Sequence, residues 1–303
     1  PDRVTIAGQS AGSASVNCLL ASPLARGLFE AAIAESGSLV LENPLIRMKS
    51  LEVAEKQGLE LAEKINAKNI QELRALPAEI IQNTLGFYAP IVDGYMMPAS
   101  VAEIYKQSRQ THVPLLTGWN ADEGFLLGIK KKAIFREEAK DFGPDSTIFT
   151  KYFPSETDAQ SEASQIALSV DKTIGVPQYA WALKQNENNK AKTFLYRFTR
   201  KPPATGDKKR FGAYHTAEIG YALNNLDSIQ RPWEPADRKL EEIMSDYWAN
   251  FVKTGNPNSA QLPDWPAFSD KSAMTMFLGQ DPSAKELPDQ GALNFLYSKY
   301  PGK

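Results

Sequence analysis

Short apolar runs separated by longer amphipathic stretches run along this chain, and that alternation predicts a mainly parallel β-sheet with helices packed on its faces. Strands are expected at residues 4–7, 31–35, 113–119 and 193–198, with a fifth at 273–278. Segments 51–65, 70–75 and 240–252 carry the 3.6-residue period of amphipathic helices. Residues 125–190 show helical periodicity with several breaks, between two strands expected to be neighbours. Such an insertion reads as a helical cap or gorge wall above the sheet. No repeat, low-complexity segment or Gly/Ser linker divides the chain, so residues 1–303 are read as one α/β domain.

Directly after the first expected strand comes Gly8-Gln9-Ser10-Ala11-Gly12, followed by the small-residue stretch Ser13-Ala14-Ser15-Val16. G-x-S-x-G alone arises by chance in about one chain in ten of this length. Between a strand and a helix it has a mechanism: a sharp strand-to-helix turn lifts the Ser10 hydroxyl above the sheet edge in a strained conformation. Gly8 and Gly12 are expected to supply the room this needs. The helix that follows would aim its positive end at developing negative charge, with the Ala11 N–H as one oxyanion donor.

A serine hydroxyl needs a base within hydrogen-bond reach. Of two histidines, His112 precedes an expected strand and so belongs to the opposite end of the sheet. His215 lies in Gly212-Ala213-Tyr214-His215-Thr216-Ala217-Glu218, a loop after another strand, on the active-site edge. The acid should lie between serine and histidine in chain order. Asn120-Ala121-Asp122-Glu123-Gly124 follows a strand and offers two carboxylates, between which spacing does not choose.

Composition narrows the rest. Thirty-four Lys and Arg against thirty-six Asp and Glu leave a net charge of −2, without the basic excess that nucleic acid would select. The runs Lys130-Lys131-Lys132 and Lys208-Lys209-Arg210 read as solvated faces. A single cysteine, Cys18, rules out an intrachain disulfide and a thiolate metal cluster, and two histidines argue against a His-rich metal site. Cys18 is expected to be an inert buried thiol. No apolar stretch reaches membrane-span length and no Asn-x-Ser/Thr sequon occurs, which fits a bacterial source. A serine mechanism needs no cofactor, and a small-molecule ester is the expected partner.

Beyond the elbow, the chain contains Asp2-Arg3-Val4-Thr5-Ile6-Ala7, Ala34-Glu35-Ser36-Gly37-Ser38, Pro90-Ile91-Val92-Asp93-Gly94, Val113-Pro114-Leu115-Leu116-Thr117-Gly118 and Trp248-Ala249-Asn250-Phe251 leading to Thr254-Gly255-Asn256-Pro257-Asn258. With these segments it closely resembles the type-B carboxylesterases, the group that includes cholinesterases and bacterial para-nitrobenzyl esterases. The resemblance implies an α/β-hydrolase fold and a Ser10–His215–Glu123 triad, placing the acid on the second carboxylate of Asp122-Glu123-Gly124. It also implies that Ser36 hydrogen-bonds near the triad acid, and that Glu218 supports the helix start after His215. Gln9 occupies a position often acidic in cholinesterases, so its neutral amide argues against a cationic choline substrate.

One departure stands out. The family's glycine-rich oxyanion loop lies upstream of the nucleophile, and this chain has no two adjacent glycines. The expectation is a C-terminal portion of a longer enzyme, with a partial α/β-hydrolase sheet and its missing N-terminal portion needed for a complete site. Since each lost oxyanion donor costs about 10²–10³ in rate, the isolated chain is expected to turn over esters poorly. The contrasting expectations are a non-catalytic cholinesterase-like adhesion module and an inactive truncated piece.

Overall fold

The computed structural model describes residues 3–41, 47–84, 86, 88–124, 129–187, 191–206 and 211–300. Asp2 of the opening motif, residues 125–128 and 188–190 at the ends of the expected cap, and the Lys208-Lys209-Arg210 run lie outside the described residues. In chain order the fold runs β1 (Thr5–Gln9), α1 (Ala11–Ala21), β2 (Ala31–Glu35), β3 (Lys49–Ser50), α2 (Leu51–Lys64), α3 (Ile70–Ala75), α4 (Ala78–Thr84), β4 (Ile91–Val92), α5 (Val101–Lys106) and β5 (Leu115–Asn120). Four helices follow, α6 (Lys132–Glu138), α7 (Ser146–Tyr152), α8 (Asp158–Val170) and α9 (Val176–Asn186), and then β6 (Thr193–Phe198). The chain continues through α10 (Ile219–Ala222), α11 (Pro235–Thr254), β7 (Met274–Leu278), β8 (Ser283–Glu286) and α12 (Gln290–Tyr297).

One sheet has the order β1-β2-β5-β6-β7-β8, parallel from β1 to β7 and closed at its far edge by the antiparallel β8. Side chains alternate across it as strand geometry demands. Along β6, Phe194, Tyr196 and Phe198 enter one core while Leu195 enters the other. The first core, which Leu195 enters, is filled by α1, α5, α9 and α12, and the second, which takes Phe194, Tyr196 and Phe198, by α11, α10 and Trp265. Because β2 and β5 are covered on both faces, they read as the unbroken apolar runs AAIA and LL rather than as alternating strands.

All five expected strands and three expected helices are present, β2, β6 and α3 with the expected bounds and the others with shifted ends. β5 starts at Leu115 rather than at 113 because Pro114 has no N–H to give the ladder, although its carbonyl accepts from Ala32 N–H; Leu115 gives the first N–H, to the Lys192 carbonyl. The helix expected over 240–252 extends from Pro235, started by proline in the first turn and a Glu234–Asp237 capping box. It ends at Gly255, whose φ of 70° is left-handed. Within the stretch expected as a cap, α9 is a crossover helix laid on β5 and β6, with Tyr179 and Trp181 buried. β8 and α12 are not among the expected elements; α12 buries Ala292, Leu293, Phe295 and Leu296. Cys18 is buried, and burial pushes its thiol up to about 11, which keeps it unreactive.

An ion-paired network anchors α11 to the rim of the sheet. Arg200 donates from Nε to Asp237 Oδ1 at 2.6 Å and from its terminal nitrogen to Asp237 Oδ2 at 3.0 Å, while Tyr221 donates to Oδ1 at 2.8 Å. Asp237 is fully buried. Arg200→Ala leaves that carboxylate uncompensated, so the expected loss is about 3–5 kcal/mol in denaturant unfolding. A loss below about 1 kcal/mol would show that the pair is not what holds α11.

Candidate active site

The turn between β1 and α1 is strained. Ser10 sits at φ 58°, ψ −116°, a conformation that costs a non-glycine residue about 1–3 kcal/mol and persists only when its surroundings impose it. Two backbone bonds do so: Ser10 N–H donates to the Glu35 carbonyl at 2.8 Å, and Ala14 N–H donates to the Ser10 carbonyl at 3.0 Å. A Cβ on Gly8 would stand 2.3 Å from the Gly12 carbonyl group, so no side chain fits there. Gly12 differs from expectation. A Cβ at Gly12 meets nothing within 4 Å, because it points away from the turn that Gly8 faces. Ala11 opens α1, so its amide is among the first-turn N–H groups that helix geometry leaves without an intrahelical acceptor.

His215 arrives from the loop between β6 and α10 and places Nε2 2.8 Å from Ser10 Oγ. On the far side of the ring, Nδ1 lies 3.6 Å from Glu123 Oε1, ion-pair distance but longer than a hydrogen bond. Glu123 follows β5 and is 2% exposed, and its Oε1 accepts from Ser36 Oγ at 2.6 Å. Gln9 brings its amide nitrogen to 3.4 Å from His215 Nε2. Asp122, the other carboxylate of the turn, points elsewhere and accepts from Ala213 N–H at 2.7 Å, tethering the histidine loop. His112 precedes β5, at the end of the sheet opposite Ser10.

Glu218 corrects an expectation. Instead of supporting the start of α10 through the helix dipole, its side chain is fully buried and accepts from Asn120 Nδ2, which also donates to the Tyr214 carbonyl at 2.8 Å. α10 is a four-residue helix and offers little dipole to respond to. What Glu218 and Asn120 hold is the backbone next to His215.

The segment Glu35-Ser36-Gly37, at the C-terminal end of β2, bridges these groups. Glu35 receives the Ser10 amide, Ser36 donates to Glu123, and Gly37 packs its Cα against the Ser10 carbonyl so closely that a Cβ would fall 2.3 Å from that oxygen. Ser13 Oγ donates to the Gly37 carbonyl at 2.5 Å, and Gly37 N–H donates to Gln178 Oε1 of α9 at 3.1 Å. Gly37 and Gln178 were not singled out from the sequence. For Glu35 a signal existed, namely one charged residue ending the apolar run Ala31-Ala32-Ile33-Ala34.

Burial sets the electrostatics. Burial, opposed by the Trp248 hydrogen bond and reinforced by the charge of Glu123, pushes the Glu35 carboxyl up to about 7. Burial, and then the charges of Glu35 and Glu123, hold Glu218 well above the usual carboxylate range. Elsewhere, burial beside Asp289 takes Asp171 to about 7, although Arg197 pulls the other way. In the unfolded chain such groups titrate near 4. The folded chain therefore binds more protons between about pH 4 and 7, so the stability these groups confer is full below that window and lost as pH rises through 7. Asp237, held low by Arg200, acts only below its ordinary range. The midpoint of thermal unfolding is thus expected to be higher at pH 5.5 than at pH 8, by on the order of 1–3 kcal/mol in stability. A midpoint that rises across that interval contradicts this assignment.

Comparison with known proteins identifies the family and the fold. Residues 1–296 match the profile described as the carboxylesterase family. The chain is 28% identical over 306 residues to the para-nitrobenzyl esterase of Bacillus subtilis (strain 168), covering 95% of this chain and 61% of that protein. It is 27% identical to liver carboxylesterase 1 of Oryctolagus cuniculus, covering 96% and 58%, and 29% identical to the fumonisin B1 esterase of Sphingopyxis macrogoltabida, covering 95% and 55%. The chain thus spans about three fifths of the length of these relatives. A solved para-nitrobenzyl (PNB) esterase superposes with a TM-score of 0.74 at 24% identity, covering 98% of this chain and 64% of the other, a likeness of α/β-hydrolase fold. With a family profile matched over nearly its whole length, the chain belongs to the carboxylesterase family.

Proposed function

We propose that this chain carries the nucleophile, base and acid of a carboxylic ester hydrolase that works through an acyl-enzyme. The observation that carries the reading is the 2.8 Å contact between Ser10 Oγ and His215 Nε2, made between residues 205 apart in sequence. For Nε2 to accept the hydroxyl proton it must be the bare nitrogen, which leaves the ring proton on Nδ1, facing Glu123. Ser10 Oγ bonds to the ester carbonyl carbon as its proton passes to Nε2, and the carbonyl π-electrons move to oxygen near the Ala11 N–H. Collapse of that oxyanion breaks the bond to the alcohol oxygen, which takes the proton from Nε2. Water repeats the sequence and releases the acid. Glu123 offsets the imidazolium charge in each half-reaction, and Ser36 keeps its carboxylate aimed.

The relatives' names, para-nitrobenzyl esterase and liver carboxylesterase among them, support carboxylic esters as the substrate class. The neutral Gln9 amide beside the imidazole favours uncharged ones. The helices α6 to α8 are proposed as a wall of the substrate approach. The turn that joins α8 to α9 packs at Trp119, near the C-terminal end of β5, the same rim as Ser10.

Treatment with a fluorophosphonate probe followed by peptide mapping is the direct test. One label per chain is expected, on Ser10, at a rate that falls at least a thousandfold in His215→Ala. A folded chain whose Ser10 stays unlabelled, or labels equally fast without the imidazole, overturns the reading.

A further inference from the structure

Behind the Ser10–His215–Glu123 line lies a second buried carboxyl that the reaction as written does not use. Glu35 ends β2 inside the second core and is 7% exposed. Its Oε1 accepts from Trp248 Nε1 of α11 at 2.6 Å, and the Trp248 ring packs 5.5 Å from that of Tyr196 on β6. Glu123 and Glu218 complete a buried acidic trio, and Tyr196 feels the charge of all three. The donors that meet the trio are neutral: the Trp248 indole for Glu35, the Ser36 hydroxyl for Glu123 and the Asn120 amide for Glu218. The imidazole of His215 faces Glu123 alone among them.

We propose that Glu35 is a positioning residue for the Ser10–His215–Glu123 relay: clamped by Trp248 beneath the rim, its carboxyl stands behind Glu123, and the charge it carries once its proton is lost steadies the imidazolium of His215. The inference rests on the function proposed above. Three carboxylates in apolar surroundings do not all ionise together, since each new charge is opposed by burial and by its neighbours. Burial favours the protonated form of Glu218, and burial pushes the Glu35 carboxyl up to about 7, in the range where a histidine exchanges its own proton. A Glu35 that has lost its proton adds a negative charge behind Glu123. That charge favours the imidazolium, the form unable to take the proton of Ser10. The groups facing Glu35 that enter this balance are Glu123 after β5, Tyr196 on β6, Glu218 before α10 and, across Glu123, His215.

Glu35→Gln preserves shape and the acceptor for Trp248 while removing the ionisation. In this variant the imidazolium loses an anionic neighbour. The midpoint of His215 protonation, followed by NMR of ¹⁵N-histidine-labelled full chain, is expected to fall by about half a pH unit, and the curve to narrow to that of a single proton. The acid limb of fluorophosphonate labelling should move with it. The chain has only two histidines, and His112, at the far end of the sheet, is the internal control for folding and for nonspecific shifts. A merely structural role would slow labelling at every pH and leave the midpoint in place. Superimposable His215 curves for wild type and Glu35→Gln, with His112 unchanged, overturn the proposal. If Glu35→Gln does not fold, Trp248→Phe decides: losing the indole donor keeps Glu35 protonated to higher pH, so the His215 midpoint should again fall, and an unmoved midpoint again refutes. Should Ser10 resist labelling altogether, the ester-hydrolase reading fails, while the imidazole titration still reports on Glu35.

Discussion

Ser10→Ala and His215→Ala should each lower turnover of a chromogenic short-chain ester by about 10⁴–10⁶, and the double variant should lose no more than either alone. The physical reason is that hydroxyl and imidazole form one device. With Nε2 at 2.8 Å from Oγ, removing either partner removes proton transfer and nucleophile activation together. Glu123→Gln should cost less, about 10²–10⁴. Its carboxylate stands at 3.6 Å and acts by offsetting imidazolium charge and holding the ring tautomer, not by bonding to substrate. Steady-state kcat for the four variants measures this ordering. Additive losses in the double variant, or a Glu123 effect larger than that of His215, would mean that the three groups do not act as a relay.

Gly37→Ala, like Gly8→Ala, is expected to be among the most damaging methyl groups that can be added near the site. Its Cβ would stand 2.3 Å from the Ser10 carbonyl oxygen and 3.1 Å from Ser13 Cβ, so either the elbow or the end of β2 must move. Ser10 is already in a conformation that only its surroundings maintain, and the shift removes the Ser10 N–H bond to Glu35 or the Gly37 bond to Gln178. Overpacking of this kind costs about 1–3 kcal/mol, with a lost buried hydrogen bond adding about 1–3 more. Fluorophosphonate labelling of Ser10 should slow at least a hundredfold even where the variant stays folded, because a displacement near 1 Å breaks alignment. Gly12→Ala is the matched control. Its methyl meets open space, so stability and labelling should stay within about twofold of wild type. Equal effects of the two substitutions would refute the close approach at residue 37.

Much of the scaffold was readable before any coordinates. The strands AAIAE and TFLYRF announced themselves as short apolar runs because burial on both faces leaves no room for alternation. The elbow announced itself because a strand, a G-x-S-x-G turn and a small-residue helix coincide. Boundaries shifted where a single backbone group ruled, as at Pro114. Within residues 125–190 the broken period conveyed helices but not that α9 covers the sheet while α6 to α8 pack among themselves and on α12. Both kinds of helix bury one face, and their patterns differ little.

From residue order alone came the class of fold, the candidate nucleophile, and two carboxylates and two histidines from which to choose its partners. Local pattern suffices there because strand, turn and helix propensities act over neighbouring residues. Which groups meet was decided by the parallel register. It sets Gln9 beside Glu35 and Glu35 beside Gly118, so that Ser10, Ser36 and the loop bearing Glu123 emerge along one rim. The clamp of Trp248 on Glu35 spans 213 positions, and the opposed roles of Gly8 and Gly12 depend on which way each absent side chain would point. Such relations carry no local signature, because they are set by long-range packing and by the mutual influence of carboxyls that come near one another only after the chain has folded.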